Sequence, residues 1–480
     1  MSPLLYIGFL VTVLLHAHTI ASVFASSEVF LDNQKFTGAV CSPKTESFLG
    51  IPFVQPPVGD LRFYCLVPIP RYSHAYNVTL PARACPQQLI VSPINFTALL
   101  PYEAAKVVTE SVYDTPIPAQ KDCVIHSIFL CRKLIFRQSL TIDVIKPASA
   151  TPTSKLPVIV WIFGGGFEVG GSTPNPLSYT GTPFVEQLIA ANQPMVFVAM
   201  NHRLSDYDDI VHRTGCSKFS DTLACLQTVD YAVLKAAQDA SPSIFSYQSL
   251  VLAWLPFEDG IFLTENPQQL VQKGKVAHVP IITGNVDDKA TVFSFSTLNS
   301  TTDEEVSKYI KSVWFTQATA EDLERLNVYY PSAPKIQCLG PKYPISPQFK
   351  RLAGFQALMI TILLGDLVFQ APRRFFQQHL PSTQKQWAFR SKRYKLTPCV
   401  GAFHTSDLLT LLSHDLIDYL VNFVTHLDPN VGIEGKAWTQ YTTASPQMMT
   451  FDIVGSKISP DTYRSEAMKF LTNISLEFPI

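Results

Sequence analysis

Most of the chain mixes apolar and polar positions, but four runs are apolar almost without a break. They are 156–163 (LPVIVWIF), 195–200 (MVFVAM), 279–284 (VPIITG) and 357–364 (ALMITILL). The first three are short and rich in Val and Ile, the pattern of strands buried on both faces of a parallel sheet. The fourth is too short to cross a membrane. Between the first two, 183–191 sets Phe184, Leu188 and Ile189 at helical spacing. Strand, helix, strand predicts a right-handed βαβ unit and a parallel sheet. Upstream, 28–37 reads as an edge strand and turn. The prolines of 48–63 fix an extended surface path. Residues 96–113 fit an amphipathic helix, either packed on the core or hinged over a pocket. Residues 386–390 predict a further strand. No internal repeat, low-complexity tract or metal-ligand spacing interrupts this plan.

The first run ends on Gly164, Gly165 and Gly166, then Phe167. Glycines at the end of a buried strand let backbone N–H groups turn toward a bound atom with no Cβ in the way. Donors held like that stabilise an oxyanion. The competing reading is a tight turn with no ligand.

Composition narrows the class. The chain has 480 residues, 47% of them hydrophobic, enough for one large α/β domain or for two or three smaller ones. A net charge of −1 gives no electrostatic case for nucleic acid or for an anionic membrane surface. The N-terminus has an apolar stretch over 4–15, then Val23-Phe24-Ala25 as a small-x-small cleavage site. We read 1–25 as a signal peptide rather than a transmembrane anchor, because the apolar run is too short to span. Secretion makes the nine cysteines interpretable. Cys216 and Cys225 are close enough in sequence to close a small loop, and Cys85 and Cys123 bracket a longer one. The odd count means that at least one thiol is unpaired or sits in sequence that does not belong. Sequons at Asn77, Asn95, Asn299 and Asn473 fit a glycosylated extracellular protein.

Six segments together carry a resemblance: FLGIPFVQPPVGDLRF (48–63), WIFGGGFEVGG (161–171), VAMNHRLS (198–205), GCSKFSDTLACL (215–226), GDLVFQAPRRFF (365–376) and GAFHTSDLL (401–409). In this order they resemble the type-B carboxylesterase/lipase family of the α/β-hydrolase fold, most closely its fungal extracellular lipase branch. The resemblance implies an α/β fold with a mostly parallel central sheet flanked by helices, in a single domain over 26–480. It implies two disulfides, Cys85–Cys123 and Cys216–Cys225. In lipases the first closes the lid, so the 85–123 loop is the expected lipid-interface contact. It also implies a Ser–acid–His triad acting on an apolar ester or lipid, without metal or cofactor. Gly165 and Gly166 match the oxyanion-hole glycines, and His404 matches the catalytic histidine.

Two parts of that machinery do not match. The family's nucleophile sits in a G-x-S-x-G elbow, on a strained strand-to-helix turn. Here the only glycines at that spacing are Gly166 and Gly170, and their centre is Glu168. Relative to the family, about a hundred residues are absent between Ser205 and Asp206, including the strand into the elbow and the helix after it. The acid position is the second departure, since Lys289 follows Asp288 there. A lysine accepts no bond from imidazole Nδ1–H and stabilises no imidazolium. Asp287 or Asp288 is the nearest substitute, each pointing differently from the matched position. Residues 124–139 and 357–364 look like additions to the family pattern. One large deletion beside additions suggests a faulty exon assignment. Loss of a central strand predicts either closure of the two sheet halves in a new register or an unstable domain. The expectation is a chain without ester turnover as it stands.

Overall fold

A computed structural model of the chain describes residues 26–56, 59–63, 66–82, 84–91, 100, 102–110, 140–172, 181–201, 208–252, 255, 258, 260, 263–300, 302–331, 355–410, 415–433 and 435–479. The signal segment and Cys123 lie outside them, as do Asn95, 124–139 and the junction at 205–206. Strands β1 (Ser26–Leu31) and β2 (Gln34–Ser42) form the expected edge hairpin. Asp32 and Asn33 turn it, with φ of 50° and 65°. Two residues with positive φ match the right-handed twist of the strands they join.

The first sheet runs β1-β2-β3-β5-β7-β6, with β4 (Tyr76–Asn77) beside β2. Its other members are β3 (Thr45–Pro52), β5 (Thr141–Pro147), β7 (Val196–Met200) and, at the end, β6 (Val158–Trp161). β6 and β7 pair in parallel, and the helix Gly181–Ala190 connects them, as the apolar pattern predicts. That helix buries Phe184, Val185 and Leu188 against Ile145, Phe197 and the helix Leu416–His426. The second sheet runs β11-β10-β9-β8. Here β8 (Ile281–Val286), β9 (Gln386–Ser391) and β10 (Gln447–Phe451) are parallel, while β11 (Ser456–Pro460) turns back on β10. Trp387, Trp438, Tyr419 and Phe451 fill its helix-covered face.

β6 and β8 are the end strands of their respective sheets, and no ladder joins them among the described residues. Closure of the halves in a new register is therefore not what the described residues do. Burial of 156–163 on both faces also needs correction. Ile159 and Trp161 pack on the first sheet's core, but Val158, Val160 and Ile162 are 55%, 50% and 67% exposed. Both-face burial requires neighbours on both faces, and this strand has them on one.

The run 357–364 resolves as part of the helix Phe355–Gly365, with Met359, Ile360, Leu363 and Leu364 buried in the largest core cluster. No helix among the described residues is long and apolar enough to cross a membrane. Cys216 and Cys225 form a disulfide across nine residues of sequence. Replacing both by Ser is expected to cost about 2–3 kcal/mol through the freed unfolded chain. Thermal melting of the double variant checks this, and an unchanged midpoint would count against it.

Candidate active site

The glycine loop leaves the end of β6 with the backbone its sequence requires. Gly165 has φ 125° and Gly166 φ 63°. A Cβ on Gly165 would sit 2.1 Å from the Val169 carbonyl oxygen. The Gly165 carbonyl accepts from the amides of Glu168 and Val169, both at 3.1 Å, which folds the loop back. The amides of Gly164, Gly165 and Gly166 have no acceptor among the described residues. They are thus free to donate, which an oxyanion hole requires of its amides. Gln87 and Gly170 exchange a pair of bonds of 2.6 and 3.1 Å, and the Gln88 amide donates to the Glu168 carbonyl at 2.8 Å. The loop is clamped from outside.

Glu168 stands where an elbow would hold its serine in the G-x-x-x-G spacing, but it does different work. Its side chain is fully buried, and Oε2 accepts from the Ile244 amide at 2.8 Å. Its Oε1 has no hydrogen-bond partner among the described residues. Burial pushes its pKa up to about 8, against a smaller lowering by the Ile244 bond. It is therefore a neutral acid at neutral pH, tying the glycine loop to the segment that follows Ser243.

His404 sits beyond β9, in a turn held by Asp288. The Asp288 carboxylate accepts from the Ala402 amide at 2.8 Å, and the Asp288 amide donates to the Ala402 carbonyl at 2.9 Å. The imidazole lies edge-on to Phe293, with centroids 4.9 Å apart, and tilted against Phe369 at 5.6 Å. The residue keeps some exposed surface, yet Nδ1 is buried and has no hydrogen-bond partner among the described residues. Burial, and secondarily the Lys289 ammonium, hold its pKa well below the ordinary histidine value. The ring is neutral.

Neither aspartate serves it. Lys395 Nζ lies 2.7 Å from Asp287 and 2.6 and 2.8 Å from the two oxygens of Asp288. Arg390 and Lys392 add contacts to Asp287 at 3.6 and 3.8 Å. These carboxylates spend their acceptors on cations and on the Ala402 amide. Lys289, at the matched acid position, points its Nζ over the Phe369 ring, 5.6 Å from the centroid.

No serine hydroxyl bonds to His404 among the described residues. Ser249 comes nearest in backbone character, being buried with φ 54°. Its hydroxyl donates to the Phe293 carbonyl at 3.0 Å instead. A bridge of packed side chains links the two halves of the site. Gly166 faces Ile244, Phe245 stacks on Phe293 at 5.6 Å, and Phe293 meets His404. The helix Tyr102–Val108, inside the suspected lid loop, packs Ala104, Ala105 and Val108 into this same cluster. Sequence reasoning missed the roles of Glu168, Lys395 and Ser249. The apolar neighbours of Glu168 were the one available signal.

Against that geometry, the sequence model of the carboxylesterase family matches residues 29–207 and 205–471. The chain belongs to the carboxylesterase family. The match covers nearly all described strands and breaks where β7 gives way to the helix Asp208–Arg213. Among its relatives, the chain is similar to "Lipase 4" of Diutina rugosa, 28% identical over 93% of this chain and 96% of that protein. It is also similar to "Secreted triacylglycerol lipase LIP1" of Gibberella zeae, 29% identical over 90% of this chain and 87% of that one. The first alignment runs over 558 positions, more than this chain's 480 residues, so the relative carries residues that this carboxylesterase-family chain lacks. Among solved structures, EstA of Aspergillus niger superposes with a TM-score of 0.69 at 19% identity, covering 95% of this chain and 99% of its own. That likeness carries the fold: an α/β-hydrolase with a mixed sheet flanked by helices.

Proposed function

We propose that this chain is a secreted family member that recognises apolar or lipid esters and does not hydrolyse them as it stands. The carrying observation is the isolation of His404. Its Nδ1 has no acid, and the sequence contains no G-x-S-x-G to supply the attacking hydroxyl. A base with nothing to deprotonate and nothing to orient it gives no acyl-enzyme. Gly165 and Gly166 retain donors for an ester carbonyl, which favours binding over chemistry. Secretion is supported by the N-terminal pattern and by the names of relatives such as the Gibberella zeae lipase. Lipid contact through the 85–123 loop agrees with the 71% exposure of Tyr102 on the outer side of its helix.

The secreted chain, residues 26–480, is expected to release nitrophenol from a short-chain nitrophenyl ester no faster than its His404→Ala variant. A fluorophosphonate probe is expected to label no serine. Labelling of Ser249, or turnover abolished by His404→Ala, would reverse the reading.

A second reading has its own observation. The family match breaks at 205–207, and the sheet breaks between β6 and β8. Both follow if the natural message encodes an additional strand and elbow at that point, making its product an active lipase. Full-length transcript sequencing decides it. A message with the Ser205 codon directly followed by that of Asp206 removes this reading.

A further inference from the structure

Lys289 is the cation left over at the end of β8. Lys395 holds Asp287 and Asp288, and Arg390 and Lys392 share Asp287. Lys289 makes no ion pair among the described residues, and its ammonium rests over Phe369. His404 packs on the same ring. Its Nδ1 is the nitrogen that an acid at position 289 would serve, and it is buried without a hydrogen-bond partner among the described residues. A half-buried ammonium without an ion-pair partner and a buried ring nitrogen without a hydrogen bond, among the described residues, thus share one aromatic neighbour.

We propose that Lys289 and His404 together bind the carboxylate group of an organic acid. This rests on the reading that His404 has no acid of its own. One carboxylate oxygen accepts from the Lys289 ammonium and the other from His404 Nδ1–H. A neutral imidazole carries a single proton, and placing it on Nδ1 leaves Nε2 as the acceptor. The ring nitrogen alone is costly in this setting, since a buried donor without an acceptor forfeits its hydration. A carboxylate satisfies both through charge-assisted bonds, about twice as strong as neutral ones. Phe293, Phe295 and Phe403 belong to the adjoining core cluster, with Phe369 packed against it. That setting favours an acid with an apolar tail over a hydrated one. A neutral ester brings no charge for Lys289, so the site separates free acid from ester. The position that activates a hydrolase's base becomes a receptor for the acid that such a hydrolase releases.

The test is an NMR titration of the full secreted chain labelled with 15N-histidine. Acetate, octanoate and methyl octanoate are added at constant ionic strength near neutral pH, with sodium chloride as the anion control. The His404 ring nitrogens are expected to shift saturably with octanoate and not with methyl octanoate or chloride. Lys289→Gln is expected to weaken octanoate binding by about tenfold or more, while Lys289→Arg retains it. Acetate binding as tightly as octanoate assigns the site to small carboxylates. Much weaker acetate binding assigns it to the headgroup of long-chain acids. Equal affinity in Lys289→Gln, equal responses to acid and ester, saturation by chloride, or no saturable shift would each overturn the inference. Thermal melting keeps the failures apart. A wild-type chain without a cooperative transition defeats the folded ester-binding protein proposed above and this site with it. A cooperatively folded chain without the shift defeats this site alone.

Discussion

Replacing Asp461 by Asn is expected to destabilise the protein by about 3–5 kcal/mol, the cost of breaking a buried ion pair from one side. The Asp461 side chain is fully inaccessible. Arg373 bonds it through both terminal nitrogens at 2.9 Å, and Arg374 adds a bond of 2.7 Å. Both guanidiniums are themselves buried, with side chains 4% and 6% exposed. Arg374 and Arg390 also stack on Tyr463, so this cluster fixes the C-terminal segment against the second sheet. Asparagine leaves two buried cations with no counter-charge. Denaturant titration reads the loss as a lowered midpoint at constant slope. Exchanging the Arg373–Asp461 pair for Met and Leu together is expected to cost less than Asp461→Asn alone. If the double change is the worse of the two, desolvation is not what drives the effect.

The same carboxylate fixes the sign of a pH effect. Burial by itself raises the Asp461 pKa, but Arg373 and then Arg374 outweigh it and hold it below the ordinary 3.8. A folded-state pKa below the unfolded one gives stability that is present above the unfolded value. It is lost as pH falls through the folded one. The acid limb of the stability profile should therefore flatten in Asp461→Asn.

What the chain discloses in advance depends on how local the cause is. The hairpin at Asp32-Asn33 and the βα unit around Phe184 are legible because turn chemistry and apolar spacing are properties of neighbours in sequence. The run 357–364 carries no type of its own, because apolar residues at all positions but Thr361 show neither period. It becomes a helix surrounded by core. Burial of Val158 and Val160 was misjudged for a different reason. Side-chain character reports that a strand is suited to two covered faces, and it says nothing of whether a cover exists.

The site divides in the same way. Gly165 and Gly166 stand out because a glycine run at the end of an apolar strand marks a close approach, which Gly165 makes to the Val169 carbonyl, and His404 because of the motif around it. The fate of the acid was half legible. Lysine at 289 signals that the triad is broken, while the capture of Asp287 and Asp288 by Lys395 comes from a residue more than a hundred positions away. No periodicity encodes such a contact. The family match changes segment at 205–207, between β7 and β8 in the chain, and no ladder joins β6 to β8 among the described residues.

Glu168→Gln is expected to reverse its effect on stability with pH. The wild-type carboxyl has a folded pKa raised to about 8 against an ordinary 4.5, chiefly through burial. Here the unfolded chain binds fewer protons than the folded one between those values, so wild-type stability declines as pH rises through that window. With each pKa unit worth about 1.4 kcal/mol, the full decline is up to about 5 kcal/mol, an upper bound. Glutamine does not ionise and keeps an oxygen for the Ile244 amide. It puts an NH2 where Oε1 has no partner, costing about 1–3 kcal/mol at any pH. Below about pH 5 the variant should thus be the less stable protein. As pH approaches about 8 it should become the more stable one, because it avoids the ionisation that unfolding allows the wild type. Urea titrations at several pH values would show the two stability curves crossing. Parallel curves would mean that Glu168 is ionised in the native protein, and that the glycine loop is held against a buried charge rather than a neutral acid.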